Sequence, residues 1–380
     1  MNTMQKEMTA PMPSAATEAG QPFDMNSEVS IAQSQPDGKK NFSEIMREYN
    51  AFTRQHDPNR IHAVTITELM EEEHETRPPI LDGLLYPGVY LLAGAEKIGK
   101  SFLVLQLAYT VATGQPLWGL NTSGDEVLYL ALEDTKDRLQ RRFFRMFDTE
   151  TTDRMYIAIN CKHLSEGLVE ELESYRREHP HIRLIIIDTL QKVREAFADW
   201  SYAKDSDVIY ELKQYADANG LCILLVHHTR KQKATDVFEM ISGTRGLGGS
   251  ADGEIVMCKQ NRTDPYATLQ ATGRDVIDQK LYLKRDPKRL LWKMERVENG
   301  FEIEPPDPLY VAIDTMLTPE QPQWEGTASE LKDVLQTERS AKSLGMWLKI
   351  HRQELLTRHG IRCITRKTRE RRTITLMREA

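Results

Sequence analysis

Eight residues, GAEKIGKS at positions 94–101, constrain the fold of this chain more than any other feature. They follow the apolar segment GVYLLA and open the apolar segment SFLVLQLAYTVATG. The spacing GxxxxGK[ST] between a strand and a helix is typical of a phosphate-binding loop. Gly94 and Gly99 let the backbone curl so that successive N–H groups face one anion, and the dipole of the helix attracts negative charge. The pattern predicts a nucleotide site on an α/β sheet.

Apolar segments of strand length alternate with helical segments from Ile61 onward, which is typical of a parallel sheet covered by helices. We expect strands at Gly88–Leu92, Glu126–Leu132, Arg154–Ile159, Arg183–Ile187 and Leu221–Val226, and helices that begin near Lys100, Thr135, Ser165 and Lys204. After Ala251 the apolar period shortens to two residues, which predicts antiparallel strands. The expected fold class is α/β, with a mainly parallel sheet and an antiparallel extension.

The chain divides by composition into four regions. We expect a disordered tail at 1–60, the α/β domain at 61–303, a proline-rich linker with a short helix at 304–323, and a small basic domain at 324–380. Lys and Arg outnumber Asp and Glu by 13 to 7 in the last region, although the whole chain carries a net charge of −7. A basic module on an acidic body predicts a polyanionic partner for that module.

The four cysteines are scattered, at Cys161, Cys222, Cys258 and Cys363, which argues against a disulfide framework or a zinc ribbon. Apolar stretches stay shorter than the roughly 18 residues of a membrane helix, and the first residues lack the apolar run of a secretion signal. We expect a cytoplasmic protein without membrane contact.

The loop itself supplies most of the expected ATP-binding residues. Lys100 would reach the β- and γ-phosphates, and Ser101 would ligate Mg²⁺. The expected nucleotide contacts are Gly94, Ala95, Glu96, Lys97, Ile98, Gly99, Lys100, Ser101 and Phe102. Asp188 ends the apolar segment RLIIID and is the predicted carboxylate for Mg²⁺, with a helix-capping aspartate as the alternative.

Two more strand ends carry candidate polar groups. Thr189 stands directly after Asp188, so the residue that activates water must come from elsewhere, and Glu133 at the end of EVLYLAL is the predicted base. Its neighbour Asp134 is assigned to capping the following helix, although both carboxylates could be caps. His227 and His228 end LCILLV, where one of them would sense the γ-phosphate unless both are structural.

Four segments together resemble the RecA-type ATPases of the plasmid RepA hexameric helicase group, relatives of DnaB-type replicative helicases. They are GVYLLAGAEKIGKSFLVLQLA, EVLYLALEDTKDRLQRR, LIIIDTLQ and LLVHHTRK, and the resemblance covers about residues 62–300. It implies a RecA-like P-loop NTPase core and a homo-oligomeric ring with ATP sites between subunits, in which Lys100, Ser101 and Asp188 hold Mg-ATP and Glu133 is the base.

The resemblance also implies an arginine finger supplied by the neighbouring subunit. Arg274 in ATGRDV is the expected finger, with Arg262 and Arg245 as competitors and a solvated surface arginine as the alternative. The glycine-rich run ISGTRGLGGSADG would be a mobile loop near the central channel, where family members hold single-stranded DNA, or else an ordinary surface loop.

The basic C-terminal region resembles a winged-helix domain. Thr327 and Glu330 form a capping box that opens a helix to about Glu338, and a second helix is expected from Ala341 to Arg358. Two strands, Ile361–Thr365 and Thr373–Leu376, would then flank a loop with the basic residues Arg366, Lys367, Arg369, Arg371 and Arg372. Such a module contacts the DNA backbone or docks on a protein.

The expected function is an ATP-hydrolysing, DNA-binding ring ATPase with DNA helicase activity, in the replication of a plasmid, phage or other mobile element. One alternative is a RadA-like recombination or repair ATPase that forms filaments without unwinding DNA. The other is an initiator or loader that uses ATP as an assembly switch.

Overall fold

The computed structural model describes Met46, Ile61 and residues 63–72, 77–194, 202–229, 236–241, 245–261, 263–298, 307–367 and 372–379. The chain forms two compact units, Met1–Leu69 and Met70–Ala380. Apart from Met46, the predicted disordered tail lies outside the described residues. A short helix, α1 (Ile66–Glu71), begins in the first unit, where the backbone N–H of Thr65 donates to Glu68 Oε2 at 2.7 Å.

A nine-stranded sheet forms the centre of the second unit. Its strands are β1 (Gly88–Gly94), β2 (Glu126–Ala131), β3 (Met155–Ala158), β4 (Ile182–Asp188), β5 (Cys222–His228), β6 (Gly253–Cys258), β7 (Tyr266–Gly273), β8 (Gln279–Arg285) and β9 (Trp292–Glu298). The spatial order is β3-β2-β4-β5-β1-β6-β7-β8-β9. Neighbours from β3 to β6 run parallel and those from β6 to β9 antiparallel, which confirms the predicted fold class.

Helices connect the strands and cover both faces of this sheet. They are α2 (Lys100–Thr113), α3 (Lys136–Phe147), α4 (Leu168–Glu178), α5 (Leu190–Val193), α6 (Tyr202–Asn219) and α7 (Arg245–Ser250), with short 3₁₀ turns at Leu164–Glu166 and Val237–Met240. Tyr90 and Leu92 of β1 belong to a buried cluster that includes residues of α2. Val89 and Leu91 belong to a second cluster that includes residues of α6. Successive residues of β1 thus pack into opposite layers, because side chains alternate across a strand.

The parallel strands define two edges of the sheet. We call the carboxyl edge the side where β1, β2, β4 and β5 end, at Gly94, Ala131, Asp188 and His228. The amino edge is the side where they begin, at Gly88, Glu126, Ile182 and Cys222. Ligands of open parallel sheets bind outside the carboxyl ends of the strands.

Residues 307–379 form the C-terminal module, which has its own hydrophobic cluster. Its elements are α8 (Pro308–Met316), β10 (Gln323–Gly326), α9 (Ala328–Leu335), α10 (Ala341–Ile350), α11 (Arg352–His359), β11 (Ile361–Lys367) and β12 (Arg372–Arg378). The three strands form an antiparallel sheet in the order β10-β12-β11. Thr327 and Glu330 form the predicted capping box.

The module differs from expectation in three places. Helix α8, expected inside a linker, packs Leu309 and Ile313 into the module's cluster, so the module begins before residue 324. The single helix expected up to Arg358 is two helices, with a break at His351. Strand β10 was not predicted, because the four residues QWEG are too short and too exposed to show an apolar pattern.

Two local expectations in the core were wrong. Asp134 does not cap α3, because Thr135 takes that position and accepts a hydrogen bond from the backbone N–H of Arg138 at 3.3 Å. Residues 245–250 of the glycine-rich run form helix α7, in which Leu247 is fully buried, so this part of the run is not a loop. Within the described ranges, every helix is too short or too polar to cross a membrane.

Candidate nucleotide-binding site

The loop between β1 and α2 is built on two glycines that no other residue could replace without strain. A Cβ on Gly94 would lie 2.7 Å from Ile98 Cδ1 and 2.8 Å from the carbonyl oxygen of Met257. Gly99 has a φ of 109°, and a Cβ there would lie 2.9 Å from the Trp292 ring. The backbone therefore curls tightly in front of the first turn of α2, as an anion-binding loop requires.

Lys100 lies inside this loop with only 6% of its surface exposed. Its Nζ donates hydrogen bonds to the carbonyl oxygens of Gly94 at 2.7 Å and Ala95 at 2.9 Å. Burial lowers the pKa of Lys100 to about 8, although the nearby carboxylates, with Asp188 and Glu133 foremost, act in the opposite direction. The loop thus holds a buried ammonium group whose partners are neutral, an arrangement suited to an incoming anion.

Asp188 ends β4 beside the loop and is 5% exposed. It is hydrogen-bonded to Ser101, and its Oδ2 accepts a hydrogen bond from the Tyr129 hydroxyl at 3.0 Å. Burial raises the pKa of Asp188, while these hydroxyl partners and Lys100 oppose that change. Ser101 and Asp188 together present the oxygen ligands that Mg²⁺ prefers, so the residues fit this ion. Tyr129, which orients the carboxylate from β2, was not expected from the sequence.

Glu133 lies two residues beyond the end of β2 and is exposed. Its Oε1 accepts a hydrogen bond from Thr189 Oγ1 at 3.3 Å, which connects it to the residue after Asp188. Asp134 instead pairs with Arg142 at 2.6 Å and with Arg138 at 3.2 Å. The two neighbouring carboxylates therefore differ, because Asp134 is neutralised by arginines and Glu133 faces the Asp188 side of the loop.

The two histidines at the end of β5 occupy different surroundings. His228 is opposite Gly94 in the strand register, and its Nδ1 lies 3.3 Å from Lys100 Nζ. His227 is opposite Ala93 and is 6% exposed. Of the pair, His228 is the one that reaches the phosphate-binding loop.

Arg274, the expected finger, lies at the opposite edge of the sheet from the phosphate-binding loop. Arg274 follows β7 at the amino edge, where its guanidinium lies 3.6 Å from Asp252 Oδ1 and its backbone N–H donates to the Asp252 carbonyl. Arg262 lies outside the described residues, and Arg245 is described only as part of the α7 backbone. A role for Arg274 in a neighbouring subunit stays a prediction.

A cation that the sequence analysis missed lies at the carboxyl edge. The guanidinium carbon of Arg285 is 4.1 Å from the centroid of the Phe102 ring and 5.7 Å from that of Trp292. Its Nη1 is 3.5 Å from the point that a Cβ on Gly99 would occupy. Trp292 Nε1 donates to the Gly99 carbonyl at 3.3 Å. The sequence predicted this strand, but only the sheet order places the end of β8 beside the loop.

The fold and this loop are those of a RecA-like P-loop domain. Residues 55–234 match the family model described as an AAA domain. The chain is also similar to the DNA repair protein RadA of Campylobacter jejuni, with 25% identity over 49% of this chain, and of Mycobacterium tuberculosis, with 26% identity over 46%. These matches span 39% and 35% of the length of the two relatives.

Solved structures with a similar fold have low sequence identity to this chain. A DnaB-like replicative helicase is 15% identical, with a TM-score of 0.48 and coverage of 65% of this chain and 71% of that one. A KaiC-like protein of the archaeon Pyrococcus horikoshii is 14% identical, with a TM-score of 0.41 and coverage of 59% of this chain and 99% of that one.

Proposed function

We propose that this protein hydrolyses Mg-ATP in an oligomeric ring that acts on DNA, as a replicative helicase-type ATPase of a plasmid, phage or other mobile element. One observation carries the proposal. Lys100, Ser101, Asp188, Glu133 and His228, which come from four segments of the sequence, meet at the carboxyl edge around one loop.

Residues of the loop and of the neighbouring strands contact different parts of the bound nucleotide. Lys100 exchanges its bonds to the Gly94 and Ala95 carbonyls for bonds to the β- and γ-phosphates, and the curled backbone supplies N–H donors. Ser101 and Asp188 would hold Mg²⁺, which neutralises charge on the phosphate oxygens when bound. Tyr129 fixes the orientation of Asp188 from the neighbouring strand.

Glu133 orients the water that attacks the γ-phosphate. Its position after β2 and its hydrogen bond from Thr189 support this role, since a base must stay near the phosphate without being neutralised by a cation. His228, within hydrogen-bond reach of Lys100, is the better placed of the two histidines to respond when the γ-phosphate leaves.

A neighbouring subunit completes the site with an arginine finger. We propose Arg274 from the sequence resemblance, and its 60% exposed side chain is accessible to another subunit. Arg285 is the alternative, and it would act on the ATP of its own subunit, because its guanidinium lies beside Phe102 and Gly99 of its own loop.

The C-terminal module is proposed to be a winged helix that binds the DNA backbone. Its helices α9 to α11 lie in the chain between β10 and the strands β11 and β12, which together form one three-stranded sheet, and this order supports that interpretation. The basic hairpin supports it as well, although only Arg366 and Arg372 of its five basic residues have described side chains. Docking on a replication protein is the alternative role of this module.

The RadA relatives favour a second candidate, a recombination or repair ATPase that hydrolyses ATP on DNA without unwinding it. An ATP-switched initiator or loader would differ from both, because it would hydrolyse ATP slowly and displace no strand.

Strand displacement on forked DNA, run beside electron microscopy of the ATP-bound particle, separates these functions. The proposal expects displacement that needs ATP hydrolysis, together with closed rings. Lys100→Ala is the matched control and should displace nothing. Rapid hydrolysis with filaments and no displacement would support the RadA-like function instead.

A further inference from the structure

An ion pair joins the C-terminal module to the core. Arg358 of α11 donates from Nη2 to Asp82 Oδ1 at 2.5 Å, and its Nη1 lies 3.1 Å from Glu354 Oε1. The other carboxylate oxygen of Asp82 accepts a hydrogen bond from Asn121 Nδ2 at 3.1 Å. Asp82 precedes β1 on the amino edge, so this contact lies at the opposite edge from the phosphate-binding loop.

The contact between module and core is not tightly packed around this ion pair. Two clefts of about 550 and 560 Å³ are both lined by Asp82 and Arg358. Among the described residues, the buried cluster of the module shares no residue with the two clusters of the core. Apolar burial therefore stabilises each part separately, and polar contacts hold the module in place.

The face of α11 that meets the core is a polar one. Gln353, Thr357 and Arg358 line one of the clefts, so these side chains point toward the core. Helix α11 lies directly before the β11–β12 hairpin, in the part of a winged-helix module that contacts DNA. A duplex that approached this face would meet the core instead.

Arg358 thus has two competing anionic partners. A carboxylate of the core holds the guanidinium that, in a DNA-binding module, would pair with a phosphate. Both partners cannot occupy the same donors. The Tyr310 hydroxyl donates a hydrogen bond to Glu354 Oε2 at 2.5 Å and lies 2.7 Å from His351 Nδ1. These contacts fix Glu354, which in turn holds the Arg358 guanidinium in position for Asp82.

We propose that the Asp82–Arg358 ion pair is an autoinhibitory contact: it keeps the module docked on the core and shields α11 from DNA until DNA displaces Asp82. This inference rests on the proposed DNA-binding function of the module. The side chains are 24% and 37% exposed, so the pair is partly solvated and its loss shifts the docking equilibrium by about three- to fivefold.

The test measures the affinity of the full chain for a short duplex at low salt without ATP. Asp82→Asn removes the competing charge and should bind about three to five times more tightly than the wild type. Asp137→Asn is the matched control, because it removes one carboxylate from an exposed pair with Arg141 at the carboxyl edge, and it should change the affinity less than about twofold.

A second measurement on the wild-type chain does not depend on a variant. Carbodiimide labelling of Asp82 should rise when the duplex is added, because the carboxylate loses its partner, whereas labelling of Asp137 should stay constant. Equal DNA affinity of wild type and Asp82→Asn, or labelling of Asp82 that DNA leaves unchanged, would overturn the inference alone. Failure of both chains to bind DNA would overturn the proposed DNA-binding function and this inference with it.

Discussion

The two edges of the central sheet use charged residues in opposite ways. At the carboxyl edge, Lys100 is buried against backbone carbonyls and a histidine, and Asp188 is buried against hydroxyl groups. At the amino edge, Asp252 is equally buried but pairs with Lys213 and Arg274. Burial shifts the pKa values of Lys100 and Asp188 toward their neutral forms, although each residue favours the charge of the other. Such charges cost stability, so an edge that keeps them is specialised for binding rather than for holding the fold together.

At the amino edge, the paired carboxylate of Asp252 connects several elements of the fold. Asp252 Oδ2 accepts a hydrogen bond from the backbone N–H of Val89 at 3.0 Å, and the N–H of Asp252 donates to the Val89 carbonyl at 2.8 Å. With Lys213 from α6, the carboxylate fastens β1 to β6 and to a covering helix. This network stabilises the sheet that carries the loop at the other end of β1.

The strongest effect is expected at Lys100. Lys100→Ala should reduce ATP hydrolysis to background and weaken ATP binding, because the ammonium group is the cation inside the loop. Thermal unfolding should occur at the same or a higher temperature than in the wild type, since the variant no longer buries a charge. Lys162→Ala, on the surface, is the control. Normal turnover of Lys100→Ala would show that the carboxyl edge is not the ATPase site.

Arg274 tests whether the two edges differ in function, because it lies at the amino edge and we propose that it acts on the ATP of a neighbouring subunit. Arg274→Ala should slow hydrolysis about a thousandfold, the scale of a lost arginine finger. Mixing this variant with Lys100→Ala subunits should restore part of the activity, since some interfaces then combine both intact residues.

The same mixing experiment is carried out with Arg285→Ala, and its result is compared with that of Arg274→Ala. A loss of hydrolysis in Arg285→Ala that mixing does not restore, together with nearly normal hydrolysis by Arg274→Ala, would assign the arginine to the carboxyl edge of the same subunit. The residues that act on ATP would then all lie at the carboxyl edge, and Arg274 would only stabilise the fold.

Glu133 and Asp134 are adjacent carboxylates to which we assign different roles. Glu133→Gln should keep ATP binding but slow hydrolysis by about 100-fold, the scale of a lost general base. Asp134→Asn should leave turnover nearly unchanged and lower the melting temperature, because Arg142 loses its partner. The reverse pattern would exchange the roles of the two carboxylates.

The smallest effect concerns pH. Burial lowers the pKa of Lys100 to about 8, so the lysine of the nucleotide-free protein loses its proton above that pH. ATP favours the charged form, and its affinity should therefore be constant below pH 8 and fall by up to about tenfold per pH unit above it. Titrations with labelled ATP at pH 7, 8 and 9 measure this fall, which Lys100→Ala should lack. A constant affinity of the wild type across this range would contradict the assigned role.

Much of the carboxyl edge could be predicted from the sequence, because each functional residue ends an apolar strand or follows a glycine motif. The positions of Lys100, Asp188 and Glu133 needed only the rule that parallel strands end at one edge. The location of Arg285 needed the order and direction of the antiparallel strands, which local patterns do not encode. The same limit applies to Asp82 and Arg358, whose contact joins residues 276 positions apart in the chain.

The most direct test of the difference between the edges compares ATP turnover of Glu133→Gln and Asp252→Asn, each expressed per folded molecule, with their free energies of unfolding. We expect Glu133→Gln to unfold like the wild type and to retain about one hundredth of its turnover. Asp252→Asn should lose about 3 kcal/mol of stability, because Lys213 is left without its buried partner, and should keep nearly normal turnover. A stable Asp252→Asn that hydrolyses no ATP, beside a Glu133→Gln that hydrolyses it normally, would contradict the account.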